Sequence, residues 1–169
     1  NTGSVTLRSS LYNSDGAITA VNGSSRITAG SASLTAVGTA SYIGTSGQAL
    51  GLSVGTLSAS SGTGGAFLTQ AGSLNLSNLT TTGDLSVTAT TGDLTLGTMS
   101  YGSTNALSLT ATTGSILAGN VTLSGTGQNS SINLTAANGI GTELAPIIVN
   151  GNAGNSVTAT VTGTGSLYQ

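Results

Sequence analysis

Asp84 and Asp93 are the one pair of carboxylates in matching surroundings, each within a Thr-Gly-Asp-Leu stretch. Two carboxylates held roughly 5–9.5 Å apart are the machinery of glycoside hydrolysis. A carbohydrate-active protein is therefore one reading of the pair. Such an enzyme also needs basic and aromatic side chains to hold sugar rings. The nearest Arg in sequence is Arg26, and the chain has four Tyr, one Phe and no Trp. The competing role is structural, with each Asp capping its turn by accepting bonds from backbone N–H groups. The second role is the expectation, no catalytic residue is assigned, and the chain is read as a non-enzyme.

Other chemistries fail on residue types. The chain lacks His and Cys, and with them an imidazole base, a thiolate and the usual ligands of zinc or haem. Calcium-binding solenoids repeat Gly-Gly-x-Gly-x-Asp, a pattern that does not follow Gly64-Gly65. No metal or cofactor site is assigned. Two Arg and no Lys cannot neutralise a phosphate backbone, which excludes nucleic acid as a partner. The missing Cys fits a chain kept unfolded during export, and equally the plain rarity of Cys in repeats of this kind.

Thr spacing suggests a different surface. Thr88-Ala89-Thr90, Thr110-Ala111-Thr112 and Thr158-Ala159-Thr160 are candidate Thr-x-Thr ranks of the kind that ice-binding β-solenoids display. Thr19, Thr28 and Thr35 lack the second Thr, so the ranks do not persist through the first half. Asn-x-Ser/Thr sequons occur at Asn22, Asn75, Asn78, Asn120, Asn129 and Asn133. At this Ser and Thr content many arise by chance.

The elements that position these residues are legible from composition and repetition. Of 169 residues, 30 are Thr, 26 Ser and 27 Gly, while 4% are charged against about 25% in average domains. Low charge with abundant Gly and Ser can signal disorder. Here 37% of residues are hydrophobic, enough for a sizeable core. Gly and Thr disfavour helix, Thr and Val favour strands, and Gly and Asn favour turns. The composition points to an all-β chain of frequent turns. No stretch approaches the ~18 apolar residues of a membrane span. The opening Asn1-Thr2-Gly3 without Met reads as an interior or processed segment of a larger protein.

Self-similarity organises the rest. Ser86-Val87-Thr88-Ala89-Thr90-Thr91-Gly92-Asp93-Leu94 matches Ser108-Leu109-Thr110-Ala111-Thr112-Thr113-Gly114-Ser115-Ile116 at an offset of 22. Apolar anchors form three series with a similar step. One runs Val5, Ile27, Leu50, Leu74, Leu94, Ile116, Ile140; a second Leu57, Leu85, Leu107, Ile132, Val157; a third Leu79, Met99, Val121, Ile147. Typical members, such as Leu107-Ser108-Leu109 and Ile132-Asn133-Leu134, read apolar-polar-apolar, the period of a strand with one buried face.

Three short strands per period of about 22 residues are the arithmetic of a β-solenoid. The expectation is one parallel β-helix segment over residues 1–169 with seven to eight coils, roughly 35 Å long at ~4.8 Å per coil. Corners fall at Thr82-Gly83-Asp84, Thr91-Gly92-Asp93, Thr113-Gly114-Ser115, Asn138-Gly139 and Thr162-Gly163. Loops are expected over 58–65 and 124–130. An antiparallel sandwich would also give many short strands, but gives no reason for a nine-residue phrase to recur.

The phrases Gly83-Asp84-Leu85-Ser86-Val87, Gly92-Asp93-Leu94-Thr95-Leu96 and Asn133-Leu134-Thr135-Ala136-Ala137-Asn138-Gly139-Ile140-Gly141-Thr142, with Ala145-Pro146-Ile147-Ile148-Val149, resemble the repeat regions of filamentous-haemagglutinin-like exoproteins, the large adhesins of two-partner secretion. The resemblance is clearest over residues 72–169. It implies a right-handed parallel β-helix, an extracellular or bacterial cell-surface location, and a role in adhesion or aggregation. It also implies partners reached through the full-length protein: a receptor or glycan on a host or neighbouring cell, and an outer-membrane export partner. The Asn-Pro-Asn motifs of that family's secretion domain do not occur here, so the matching part is the shaft. The expected function is a structural shaft segment of a virulence-type adhesin, with the ice-binding solenoid and the carbohydrate-active β-helix as alternatives.

Overall fold

A computed structural model describes residues 2–9, 14–100, 105–118, 122–124, 130–150 and 154–168. Among these residues run β1 (Ser4–Ser9), β2 (Ala17–Ile18), β3 (Arg26–Ala36), β4 (Tyr42–Ile43), β5 (Leu50–Ser61), β6 (Gly65–Gln70), β7 (Leu74–Thr81), β8 (Leu85–Ala89), β9 (Leu94–Ser100), β10 (Ala106–Ala111), β11 (Ser115–Ala118), β12 (Thr122–Ser124), β13 (Ser131–Ala136), β14 (Gly139–Ile140), β15 (Ile148–Asn150), β16 (Ser156–Val161) and β17 (Ser166–Leu167). There is no helix among them. The alternation of the sequence explains the strands. In β10, Leu107, Leu109 and Ala111 are buried while Ser108 and Thr110 stay partly exposed.

Fifteen strands join into one sheet, and β12 and β15 pair in a second. The pairing is parallel throughout, as between β8 and β10, β10 and β13, and β13 and β16. The chain is an all-β parallel β-helix of about 6 turns, with about 24 residues per turn. The expected seven to eight coils of about 22 are thus corrected to fewer, wider ones. Early and late coils are long, as the partners Ser4 and Ser31 or Ile140 and Leu167 demonstrate. The period of the middle, where Leu85 meets Leu107, does not hold for the whole chain.

The core is a set of rungs running along the axis. Ile18, Ile43, Ala66, Leu85, Leu107, Ile132 and Val157 form one without a gap. Leu74, Leu94, Ile116, Ile140 and Leu167 form another. A third joins Leu7, Leu34, Ala59, Leu79 and Met99. The expected series hold from Leu74 and from Leu85 onward but fail in the first half. Val5 lies on the rung of Ala32, Leu57 and Leu76, Ile27 pairs with Leu52, and Leu50 with Leu68. Val121 falls outside the described residues.

The misassignment has a physical cause. Later coils break the strand at turns such as Gly92-Asp93, whereas β3 and β5 continue through the same place with two successive unburied residues, Gly30-Ser31 and Gly55-Thr56. Gly30 and Gly55 make this possible, since a Cβ on Gly55 would sit 3.0 Å from the Gly30 carbonyl oxygen. The loop expected over 58–65 is likewise absent. Residues 58–61 finish β5, and a turn at Gly62–Gly64 leads directly into β6. The loop expected over 124–130 falls mostly outside the described residues.

Candidate functional site

Asp84 and Asp93 occupy opposite ends of β8 and stand at different corners of the coil. At ~3.3 Å per residue, the five residues of β8 span about 16 Å, wider than the carboxylate separations of glycosidases. Each carboxylate is already engaged. Asp84 Oδ1 accepts the Ala106 N–H at 2.9 Å and Asp93 Oδ1 accepts the Ser115 N–H at 2.7 Å. Asp15 Oδ1 accepts the Ala40 N–H at 2.7 Å in the same way. The expected capping role is thus found in altered form: each carboxylate holds the corner one coil farther on and not the amides of its own turn. Asn138 Nδ2 at the Thr113 carbonyl (2.9 Å) makes the same inter-coil link from a donor. Among the described residues, no three of His, Cys, Asp and Glu come close enough to hold a metal ion.

What the fold does assemble is a lattice of neutral polar side chains. On the side built from β3, β5, β7 and β9, three outward ladders run in register. They are Ser31–Thr56–Asn75–Thr95, Ser33–Ser58–Asn78–Thr98 and Thr35–Ser60–Thr80–Ser100. Rungs repeat at about 4.8 Å and alternate residues at roughly 6.7 Å. Ser58 Oγ donates to Ser33 Oγ at 3.3 Å. A shallow depression of ≈ 270 Å³ opens here, lined in part by Ser33, Thr35, Ser58, Ser60, Asn78 and Thr80. The register between β5 and β7 shifts by one at a bulge at Ser77, whose hydroxyl donates to the Leu57 carbonyl at 2.9 Å.

The adjoining side carries a column of Thr69, Thr88, Thr110, Thr135 and Thr160. Beside it stand Phe67, Ser86, Ser108, Asn133 and Thr158. The expected Thr-x-Thr ranks are therefore not one plate. Thr158 stacks on Asn133, and it is Thr160 that continues the column of Thr88 and Thr110. Thr90 and Thr112 lie beyond their strands, and Thr90 Oγ1 turns back to the Gln70 carbonyl at 3.0 Å. Of the sequon residues, Asn22, Asn75, Asn78 and Asn133 are exposed, while Asn120 and Asn129 fall outside the described residues.

Gln70 went unnoticed in the sequence. It stands in the interior rung of Ile27, Leu52, Ala89, Ala111, Ala136 and Val161 and is 2% exposed. Its Nε2 donates to the Val54 carbonyl at 2.8 Å and to the Ser73 carbonyl at 3.2 Å, and its Oε1 accepts the Val54 N–H at 3.2 Å. β6 ends at Gln70 while β5 continues, which leaves Val54 beyond the reach of a strand partner on that side. The side-chain amide replaces the missing backbone. An open groove of ≈ 370 Å³ lies alongside, with Ala29, Gly30, Val54, Gly55, Gln70 and Gly72 in its wall.

A second polar group is internal. Ser41 Oγ donates to the Ala36 carbonyl at 2.8 Å and accepts the Gly62 N–H at 2.8 Å. Ser61 Oγ donates to Thr81 Oγ1 at 3.1 Å, and Thr81 Oγ1 donates to the Gly62 carbonyl at 3.0 Å. These hydroxyls are satisfied structural groups.

No family model, curated protein or solved structure matches this chain. Among the described residues, no helix is long and apolar enough to cross a membrane.

Proposed function

We propose that this chain is a shaft segment of a secreted or cell-surface bacterial adhesin, holding adhesive parts away from the surface that anchors them. The reading rests on the unbroken rung from Ile18 to Val157. A polypeptide that repeats one parallel coil on the next gains length in proportion to its residues. Six steps at about 4.8 Å extend it by roughly 29 Å. The sequence resemblance to filamentous-haemagglutinin-like repeats supports the same role. In it the contacts with a receptor or glycan, and with an outer-membrane export partner, belong to the full-length protein. The proposed work is mechanical, without a reaction.

The test is to insert the chain between a surface anchor and a fluorescently labelled binding domain on a bacterial cell. Energy transfer to a membrane dye should fall as expected for roughly 29 Å of added height. Unchanged transfer would overturn the reading.

The column from Thr69 to Thr160 supports a second reading, a Thr-bearing face that orders water at an ice surface. Thermal hysteresis in a solution of the chain would support it, and its absence would remove it.

A further inference from the structure

We propose that Asn22 is a site of spontaneous deamidation, through attack of the Gly23 backbone nitrogen on the Asn22 side-chain carbonyl carbon. Asn22-Gly23 lies in the exposed turn between β2 and β3, beside Val21 at 92% exposure. The Ser25 N–H donates to the Asn22 carbonyl oxygen at 3.1 Å and closes the turn. Two donors also converge on the side-chain oxygen. The Ser24 N–H reaches Asn22 Oδ1 at 3.0 Å and Ser25 Oγ reaches it at 3.2 Å.

Cyclisation places negative charge on that oxygen, and donors already aimed at developing charge lower the barrier. The nucleophile is the adjoining residue, so attack is intramolecular. A Cβ added to Gly23 would meet nothing within 4 Å, and among the described residues no hydrogen bond occupies the Gly23 N–H. The Gly23 nitrogen loses its proton to water and bonds to Asn22 Cγ. The Cγ–Nδ2 bond breaks, and Nδ2 leaves with a proton from water as ammonia. The resulting succinimide adds water at either carbonyl to give aspartate or isoaspartate, adding one negative charge to the surface.

Asn138-Gly139 carries the same dipeptide in a setting that blocks the step. Asn138 Nδ2 is held by the Thr113 carbonyl at 2.9 Å, and the Asn138 N–H by the Gly114 carbonyl at 3.0 Å. Gly139 is buried in β14 between Ser115 and Ser166. The third Asn-Gly, at Asn150, extends outside the described residues.

The test is to incubate the folded chain at neutral pH and body temperature, then map isoaspartate by peptide mass spectrometry and enzymatic isoaspartyl methylation. IsoAsp should form at position 22 at least about tenfold faster than at 138, a barrier difference of ~1.4 kcal/mol. The two rates should converge in urea. Gly23→Ala should slow the reaction at 22, and Ser25→Ala should slow it by less. Equal rates at 22 and 138 in the folded chain would overturn the proposal, as would a Gly23→Ala chain that deamidates unchanged. A faster Ser25→Ala chain would also overturn it, since the Ser25 hydroxyl would then hold the side chain back from the reaction.

Discussion

The carboxylate of Asp93 and the backbone N–H of Ser115 meet at 2.7 Å across one coil step. The bond caps the start of β11 from the corner before β9, and so ties two successive turns. Asp93→Ala leaves that amide without its charged acceptor. It should lower the unfolding free energy by about 1–2 kcal/mol, read from urea denaturation. Asp93→Asn keeps an acceptor oxygen and should recover most of the loss. A silent Asp93→Ala would mean that the link carries no stability.

Gln70 stands in for a strand, and its substitution separates hydrogen bonding from packing. Gln70→Leu keeps the volume in the interior rung but leaves the Val54 N–H and carbonyl unpaired. The expected loss is about 2–4 kcal/mol. A Leu that is tolerated in the same denaturation assay would show that water replaces the amide.

Gly114 marks a close approach of two corners. A Cβ there would collide with the Gly92 carbonyl group, which belongs to the backbone and cannot rotate aside. Gly114→Ala should cost about 1–3 kcal/mol, measured as a drop in the thermal midpoint. Gly47→Ala, where a Cβ meets nothing within 4 Å, is the matched control and should leave the midpoint nearly unchanged.

The Thr column bears on the near-absence of charge. Thr88, Thr110 and Thr135 occupy successive positions of one outward rung. Thr110→Asp alone should change stability by no more than about 0.5 kcal/mol. Converting all three to Asp sets like charges about 4.8 Å apart, at close to 1 kcal/mol of repulsion per neighbouring pair in water. The triple variant should therefore lose more than three times the single effect, and molar salt should restore much of it. Additive losses indifferent to salt would argue against this account.

The fold was legible where local pattern and corner chemistry agreed. Leu85, Leu107 and Ile132 repeat apolar-polar-apolar before a Gly-bearing turn, and they stack as that pattern predicts. Val5, Ile27 and Leu50 show the same alternation, but β3 and β5 continue unbroken where later coils have a turn, and the alternation slips there at Gly30-Ser31 and Gly55-Thr56. Alternation says which side chains face inward. It does not say which coil meets which. Residues 58–61 read as loop because Ser and Gly are poor strand formers alone, yet flanking strands on both sides hold them in β5. The Asp residues were legible as caps, but their partners were not, since a bond across 22 residues depends on coil length. Gln70 was hidden because one amide in a polar stretch carries no pattern. Its role exists only where β6 stops short of β5.

The one-coil pairing of every rung has a kinetic side. Ala106 finds Ser131 and Ser131 finds Ser156 by closing loops of 25 residues, and partners elsewhere, from Leu50 and Leu68 to Ser4 and Ser31, close loops of 18 to 27. Loop-closure entropy depends on the segment between partners and not on the total length. Each added coil therefore meets the same ordering cost as the last, with a finished edge as its template. Relative contact order falls as coils accumulate, and folding rate follows contact order. A chain built this way can grow long without its search for native partners growing harder.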